Sequence, residues 1–238
     1  MKNKYAIILG NLGNTRDRFC PGYKVNPSSE EMLKMALQRM PHIQGIELVG
    51  TWDIRPDNVK DMKKRLDDAG VACVSIIPDT FANPRFGRGS ITSIDAEVRK
   101  EALAYLRQMS EVALEMDCGI VNLWLGQDGY DYLLTTDYDQ ERDWLTESTK
   151  ALATEFPTLR YALEYKPKEP RNFSMPVWPT LFWQQKRRAA AMWVSPSTRG
   201  TAFMRARLLP KQWCWQKGRA TCCSICTLTT ITAIGTTT

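Results

Sequence analysis

Acidic residues are missing from the last quarter of this sequence. From Met175 to Thr238 there is no Asp, Glu or His, against nine Lys or Arg. That stretch can give neither a carboxylate nor an imidazole to acid–base chemistry or to a hard-cation site. Histidine is scarce throughout. The one histidine, His42, precedes an apolar strand-like run and is expected to cap or to lie exposed rather than to bind metal. No run approaches the ~18 apolar residues of a membrane-spanning helix. Met1–Gly13 carries one short apolar run and no small-residue cleavage site, so no signal peptide is expected and the cytoplasm is the expected compartment. Seven cysteines, odd in number and irregularly spaced, fit a reducing compartment better than a disulfide framework. No G-x-G-x-x-G follows the first apolar run, which argues against an open dinucleotide-binding sheet.

The charge that is present is unevenly spread. The formal net charge is +6, yet Met1–Ser174 holds 23 basic and 26 acidic residues, a net of −3. Five of eight tryptophans and four of seven cysteines fall after Ser174. The composition therefore divides the chain into 1–174, an ordinary globular sequence, and 175–238, a basic tail rich in Trp, Cys and Thr.

The first part alternates strand and helix signals. Tyr5–Leu9, Gly45–Val49, Val71–Ile77, Ile120–Leu125 and Tyr161–Tyr165 read as short apolar strands. Between them lie helical periodicities over Ser28–Met40, Pro56–Ala69, Asp95–Met116 and Gln140–Phe156. Ser28 with Glu31 forms a capping-box signature, and Gly70 closes the second helix. Apolar strands alternating with helices imply parallel pairing. Polar or functional residues stand at the C-terminal strand ends: Asn11, Thr51, Asp79, Trp124 and Glu164. That placement favours a barrel, whose active face is built from those ends, over an open sheet. The expected fold is α/β, an incomplete (β/α)8 TIM barrel of about five units followed by an irregular or disordered tail.

The stretch Y-A-L-E-Y-K-P-K-E-P-R at Tyr161–Arg171 carries the densest chemistry. Alternation places Ala162, Glu164 and Lys166 on one face and Tyr161, Leu163 and Tyr165 on the other. The first face suits a narrowing barrel lumen, and the second suits packing against helices. Pro167 and Pro170 end the strand. A surface ion pair at a strand end would produce the same pattern. Asn122 and Trp124 share a face, so both are expected in the lumen. Glu47 is either a lumen carboxylate or a structural acceptor.

Three motifs stand in order: D-T-F-A-N-P-R-F-G-R-G-S-I-T at Asp79–Thr92, V-N-L-W-L-G-Q-D-G-Y-D at Val121–Asp131, and L-E-Y-K-P-K-E-P-R at Leu163–Arg171. Together they resemble xylose isomerase and related sugar isomerases and epimerases, which are metal-dependent TIM barrels. The resemblance covers about Tyr5–Ser174. It implies that Glu164 holds a divalent metal and that Lys166 hydrogen-bonds a substrate oxygen, making these two the catalytic candidates. It implies that Glu169 is an acidic group at a second metal. Trp124 and Phe81, with Asn122, would be substrate-binding and would wall a sugar pocket. The implied metal is Mg²⁺ or Mn²⁺, with Co²⁺ as a third option, acting as a Lewis acid on neighbouring sugar oxygens during aldose–ketose interconversion. Epimerase-type relatives move a proton with paired carboxylates instead. The implied partner is a small-molecule sugar, and family members are commonly oligomeric. One departure is that G-T-W-D at Gly50–Asp53 stands where xylose isomerase carries a histidine.

After Ser174 no sixth strand–helix unit is readable, and the family's later metal ligands are not supplied. Met and Trp have single codons, so Met192–Val194 must be encoded ATG TGG GTN. A shifted frame through this region permits V-G-V-T-I-D-T-G-H-G-F-Y-A, and farther on D-V-L-F-H-L-H-F, strings that look like those later metal-binding strands. The expectation is a chain derived from a sugar isomerase or epimerase, frameshifted near Ser174 and inactive as written. The alternative is a non-catalytic binding module whose basic, tryptophan-rich tail contacts nucleic acid. A zinc site through Cys223 and Cys226 is a lesser reading, because a second paired motif at finger spacing is absent.

Overall fold

The computed structural model describes residues 4–15, 22–130, 132, 135–164, 172–173, 192–193 and 232–233. In chain order the elements are β1 (Tyr5–Ile8), α1 (Ser29–Arg39), β2 (Gly45–Val49), α2 (Val59–Asp68), β3 (Ala72–Ile77) and α3 (Ala96–Glu115). There follow β4 (Ile120–Trp124), β5 (Gly129–Tyr130), α4 (Tyr138–Glu155) and β6 (Arg160–Glu164). Three two-residue strands complete the order: β7 (Asn172–Phe173), β8 (Met192–Trp193) and β9 (Thr232–Ala233).

The helix starts are chemically specified. Ser28 accepts from the backbone of Glu31, and the Glu31 carboxylate accepts from the Ser28 amide at 2.7 Å, the reciprocal box that the sequence implied. Those hydrogen bonds hold the Glu31 carboxyl below its ordinary range. Asp95 and Asp137 cap α3 and α4 without a reciprocal bond, accepting from the amides of Glu97 and of Asp139 and Gln140. Helix α2 starts at Val59 rather than at Pro56, because Asn58 accepts from the Arg55 amide at 2.7 Å and fixes residues 55–58 as a turn.

Strands β1, β2, β3, β4 and β6 lie side by side, all parallel, and the sheet order is β8-β6-β4-β3-β2-β1-β9. These are the expected five β/α units of a partial TIM barrel. The edges differ from expectation. The sequence predicts five strands and no sixth strand–helix unit after Ser174, whereas β8 lies parallel to β6 and β9 antiparallel to β1. An unpaired strand edge offers N–H and C=O groups that accept any extended backbone, so such pairing leaves no side-chain signature to read. The remainder of the tail, with its paired cysteines, basic residues and Thr-rich end, lies outside the described residues.

Between Ile46 and Glu47 the β2–β3 register shifts. The bulge turns both Val74 and Ser75 toward the inner side of the sheet. Val74 fills the space above Gly45, where an added Cβ would lie 2.5 Å from Val74 Cγ1. Ser75 donates to Glu47 at 2.8 Å.

The outer face of the sheet and the inner faces of the helices make the main core, with Ile46, Leu48, Ile76, Val121, Leu123, Tyr161 and Leu163 from the strands. The fully buried Tyr161 meets Ser110 of α3 at 2.8 Å. The Ser110 hydroxyl already donates to the Leu106 carbonyl at 2.8 Å, so Tyr161 is the donor. Burial pushes the Tyr161 phenol up to about 12. A group whose pKa is raised in the folded state stabilises below its unfolded value, here 10.0, and loses that contribution as pH climbs toward the folded value. Urea unfolding midpoints are therefore expected to fall between about pH 10 and 12, with a shallower fall in Tyr161→Phe. Equal slopes in both proteins would contradict this assignment.

Candidate functional site

The inner face of the sheet carries a second, separate hydrophobic cluster. Val49, Ile77 and Phe81 are its buried members, and Ile8, Trp52, Ala82 and Trp124 pack against it. It sits at the C-terminal ends of β1 to β4, because alternation turns Ile8, Val49, Ile77 and Trp124 inward there.

Three aromatics form a row across this cluster. Trp52 meets Phe81 edge-on at 5.5 Å between ring centroids, and Phe81 meets Trp124 at 4.3 Å with the rings tilted by 36°. Phe81 is buried, whereas the two indoles are half-exposed. Beside the row, the register sets Asn122 opposite Ala162 and Trp124 opposite Glu164. Asn122 donates to Glu164 Oε2 at 2.8 Å. Asn122 is 5% exposed, and its Oδ1 accepts no hydrogen bond among the described residues. The structure thus joins Asn122, Trp124 and Glu164 on one wall and brings Phe81 to it from the loop after β3. Lys166 and Glu169 lie outside the described residues.

The loops that carry these groups are tied down by buried acids. Asp128 accepts from the Ser90 and Thr92 amides at 3.0 and 2.8 Å and from both of their hydroxyls. Gln127 donates to the Phe81 carbonyl at 3.0 Å. Together they fasten the 79–93 loop to the loop after β4. Complete burial pushes the Asp128 carboxyl up, and its four hydrogen bonds partly offset this. Asp79 accepts from the Trp52 indole N–H and from the Ala82 amide, each at 2.9 Å. Asp53 accepts from the Val49 amide at 3.0 Å and from Ser29 at 3.1 Å, and burial pushes its carboxyl up as well.

The sequence did not single out Trp52, Gln127 or Asp128 for these roles. All three lie inside motifs visible in the sequence, at Gly50–Asp53 and Val121–Asp131, but only their distant partners show what they do. Glu47, buried and accepting from Ser75, has the environment of a structural acceptor. His42 is exposed, as expected.

A hard dication takes about six oxygen ligands. Among the described residues no three His, Cys, Asp or Glu side chains converge, and on this wall Glu164 stands beside a neutral amide. The described residues alone do not fit a metal centre. Nor is any helix among them long and apolar enough to cross a membrane.

Parallel β/α units with an aromatic and polar cluster at the C-terminal strand ends define a partial TIM barrel. The chain belongs to the xylose isomerase-like TIM barrel family, whose model matches residues 42–175. A xylose isomerase of Bacillus pumilus is 34% identical over 114 residues, which are 46% of this chain and 25% of that protein. The chain thus matches about a quarter of the length of that relative. An AP endonuclease, family 2, from Brucella melitensis superposes with a TM-score of 0.60 at 13% identity, covering 82% of this chain and 68% of that one. A xylose isomerase-like TIM barrel protein from Mycobacterium smegmatis, solved in complex with magnesium, gives 0.52 at 17% identity, covering 82% and 64%. At those identities the two structures speak for the fold alone.

Proposed function

We propose that residues 1–174 form the sugar-facing half of an isomerase or epimerase barrel and that this chain, by itself, does not turn sugars over. The observation that carries the first part is the convergence of the aromatic row with the Asn122–Glu164 pair at the C-terminal strand ends. Apolar rings offer a surface to the C–H face of a sugar, and an amide–carboxylate pair offers hydroxyl partners. The name and identity of the Bacillus relative support a sugar as substrate class.

The inactivity follows from the donors. Glu164 would be a metal ligand and Lys166 a hydrogen-bond donor to a substrate oxygen, with Glu169 as a further acid. When bound, a divalent metal supplies Lewis-acid polarisation of adjacent sugar oxygens. Residues 175–238 add no carboxylate or imidazole to that set. The expected outcome is no aldose–ketose or epimer conversion above background by the purified chain with Mg²⁺, Mn²⁺ or Co²⁺. Metal-dependent turnover that EDTA abolishes would overturn this part.

We attribute the break in composition to a change of reading frame near Ser174, supported by the shifted strings above. Reading the nucleotide sequence around that codon checks it. The idea fails if the shifted frame is interrupted by stop codons soon after the break.

A further inference from the structure

Two thiols stand at the end of the sheet away from the pocket. Cys73 lies on β3, and Cys118 lies between α3 and β4. Ile76 pairs with Val121 where β3 meets β4. Cys73 is three residues before Ile76 and Cys118 three before Val121, so both stand toward the N-terminal strand ends.

Each is aimed by its backbone. Asp117 stops α3 in a left-handed conformation, φ +53°, and the Cys118 amide donates back to the Ala113 carbonyl at 2.8 Å. Cys118 is thereby buried in the main core. The β-bulge that turns Val74 and Ser75 inward leaves the half-exposed Cys73 packed against the same core on the helix side. The two thiols hydrogen-bond each other. That contact, together with burial, pushes the Cys73 thiol well up. It holds the Cys118 thiol below its ordinary range, against burial and the Glu47 charge. A favoured thiolate beside a second thiol is the arrangement of an attacking cysteine with its resolving partner. Neighbouring strands lie about 4.8 Å apart, inside the roughly 4.4–6.8 Å that a disulfide spans between Cα atoms.

We propose that Cys73 and Cys118 are an oxidative modification site, a dithiol that hydrogen peroxide converts to a disulfide joining β3 to the start of β4. Peroxide is little larger than water and enters beside Cys73. The Cys118 thiolate attacks one peroxide oxygen: an S–O bond forms, the O–O bond breaks, and the departing hydroxide takes a proton to become water. Cys118 is then a sulfenic acid. The Cys73 sulfur attacks it: the S–S bond forms, the S–O bond breaks, and the hydroxyl leaves with the Cys73 proton as a second water. The two sulfurs lose two electrons, and the peroxide gains them. The cross-link encloses residues 74–117, which include α3 and the loop that brings Phe81 to the pocket.

The test treats the reduced full-length chain with hydrogen peroxide, alkylates it and digests it with trypsin without reductant. Cys73 falls in the tryptic peptide 66–85 and Cys118 in 108–142, with no other cysteine in either. A linked species of these two peptides, dissolved by dithiothreitol, is the expected product. The melting temperature is expected to rise by about 5–10 °C on oxidation. Cys73→Ser is expected to melt within about 2 °C of the reduced wild type, to lose the rise, and to leave Cys118 as a sulfenic acid that dimedone traps. Separate recovery of alkylated 66–85 and 108–142 from the oxidised wild type, with Cys20 or the tail cysteines oxidised instead, would overturn the pair. Linked peptides without a rise in melting temperature would overturn the restraint on residues 74–117. No dimedone adduct in Cys73→Ser would overturn Cys118 as the attacking sulfur.

Discussion

Asp128→Ala is expected to destabilise the protein by on the order of 4 kcal/mol, because each buried group left without a partner costs about 1–3 kcal/mol. Four donors converge on this carboxylate, and it is completely buried. The two hydroxyls can rotate to other acceptors, but the Ser90 and Thr92 amides are fixed by the backbone and cannot. Domains of this size are stable by roughly 5–15 kcal/mol, so the loss brings the variant close to unfolding at ordinary temperature. Asp128→Asn separates the geometry from the charge. Oδ1 accepts three of the four bonds and survives the change, while Oδ2 accepts only from the Ser90 hydroxyl, which can turn round and accept from the new amide. The expected cost is about 1 kcal/mol at neutral pH. Burial raises the Asp128 pKa, so the wild-type carboxyl contributes most below its unfolded value of 3.8 and less as pH rises through its folded value. The Asn variant should therefore compare less well with wild type in acid than at neutral pH. Urea midpoints across that range measure both effects, and an Ala variant as stable as wild type would show that Asp128 does not hold the loop.

Phe81→Ala is expected to cost about 3–5 kcal/mol, the range for removing a buried aromatic ring. The ring is 5% exposed and stands between two indoles, so its removal leaves both Trp52 and Trp124 without their shared neighbour. The backbone of the loop should stay in place, because Gln127 holds the Phe81 carbonyl and Asp79 the Ala82 amide. The expected signature is thus local: near-ultraviolet circular dichroism from the coupled indoles weakens, while far-ultraviolet ellipticity below the melting temperature is unchanged. Loss of both signals together would mean that the aromatic row supports the whole sheet rather than one wall of a pocket.

The two replacements differ in what a sequence can reveal. Phe81 was legible as a pocket candidate only through the resemblance that the 79–92 motif helps to carry. Asp128 was not, because its partners lie 36 and 38 residues away and no spacing links them. Trp52 is intermediate. Its motif was visible as a departure, but its destination depends on the left-handed backbone of Thr51, at φ +68°, which a threonine does not announce. The two short edge strands, β8 and β9, were not foreseen, because main-chain pairing places no demand on side chains.

The sequence by itself determined the alternation of strand and helix, the parallel pairing, the capped start of α1 and which side chains share a face within a strand. Each of these follows from periodicity or from contacts a few residues apart. Tertiary structure alone decided which loops close over the strand ends and which acids hold them, and it alone set the Asn122–Glu164 contact across 42 residues. Such contacts form only once the sheet has brought distant segments together, and burial then makes each unsatisfied polar group costly enough to fix its partner.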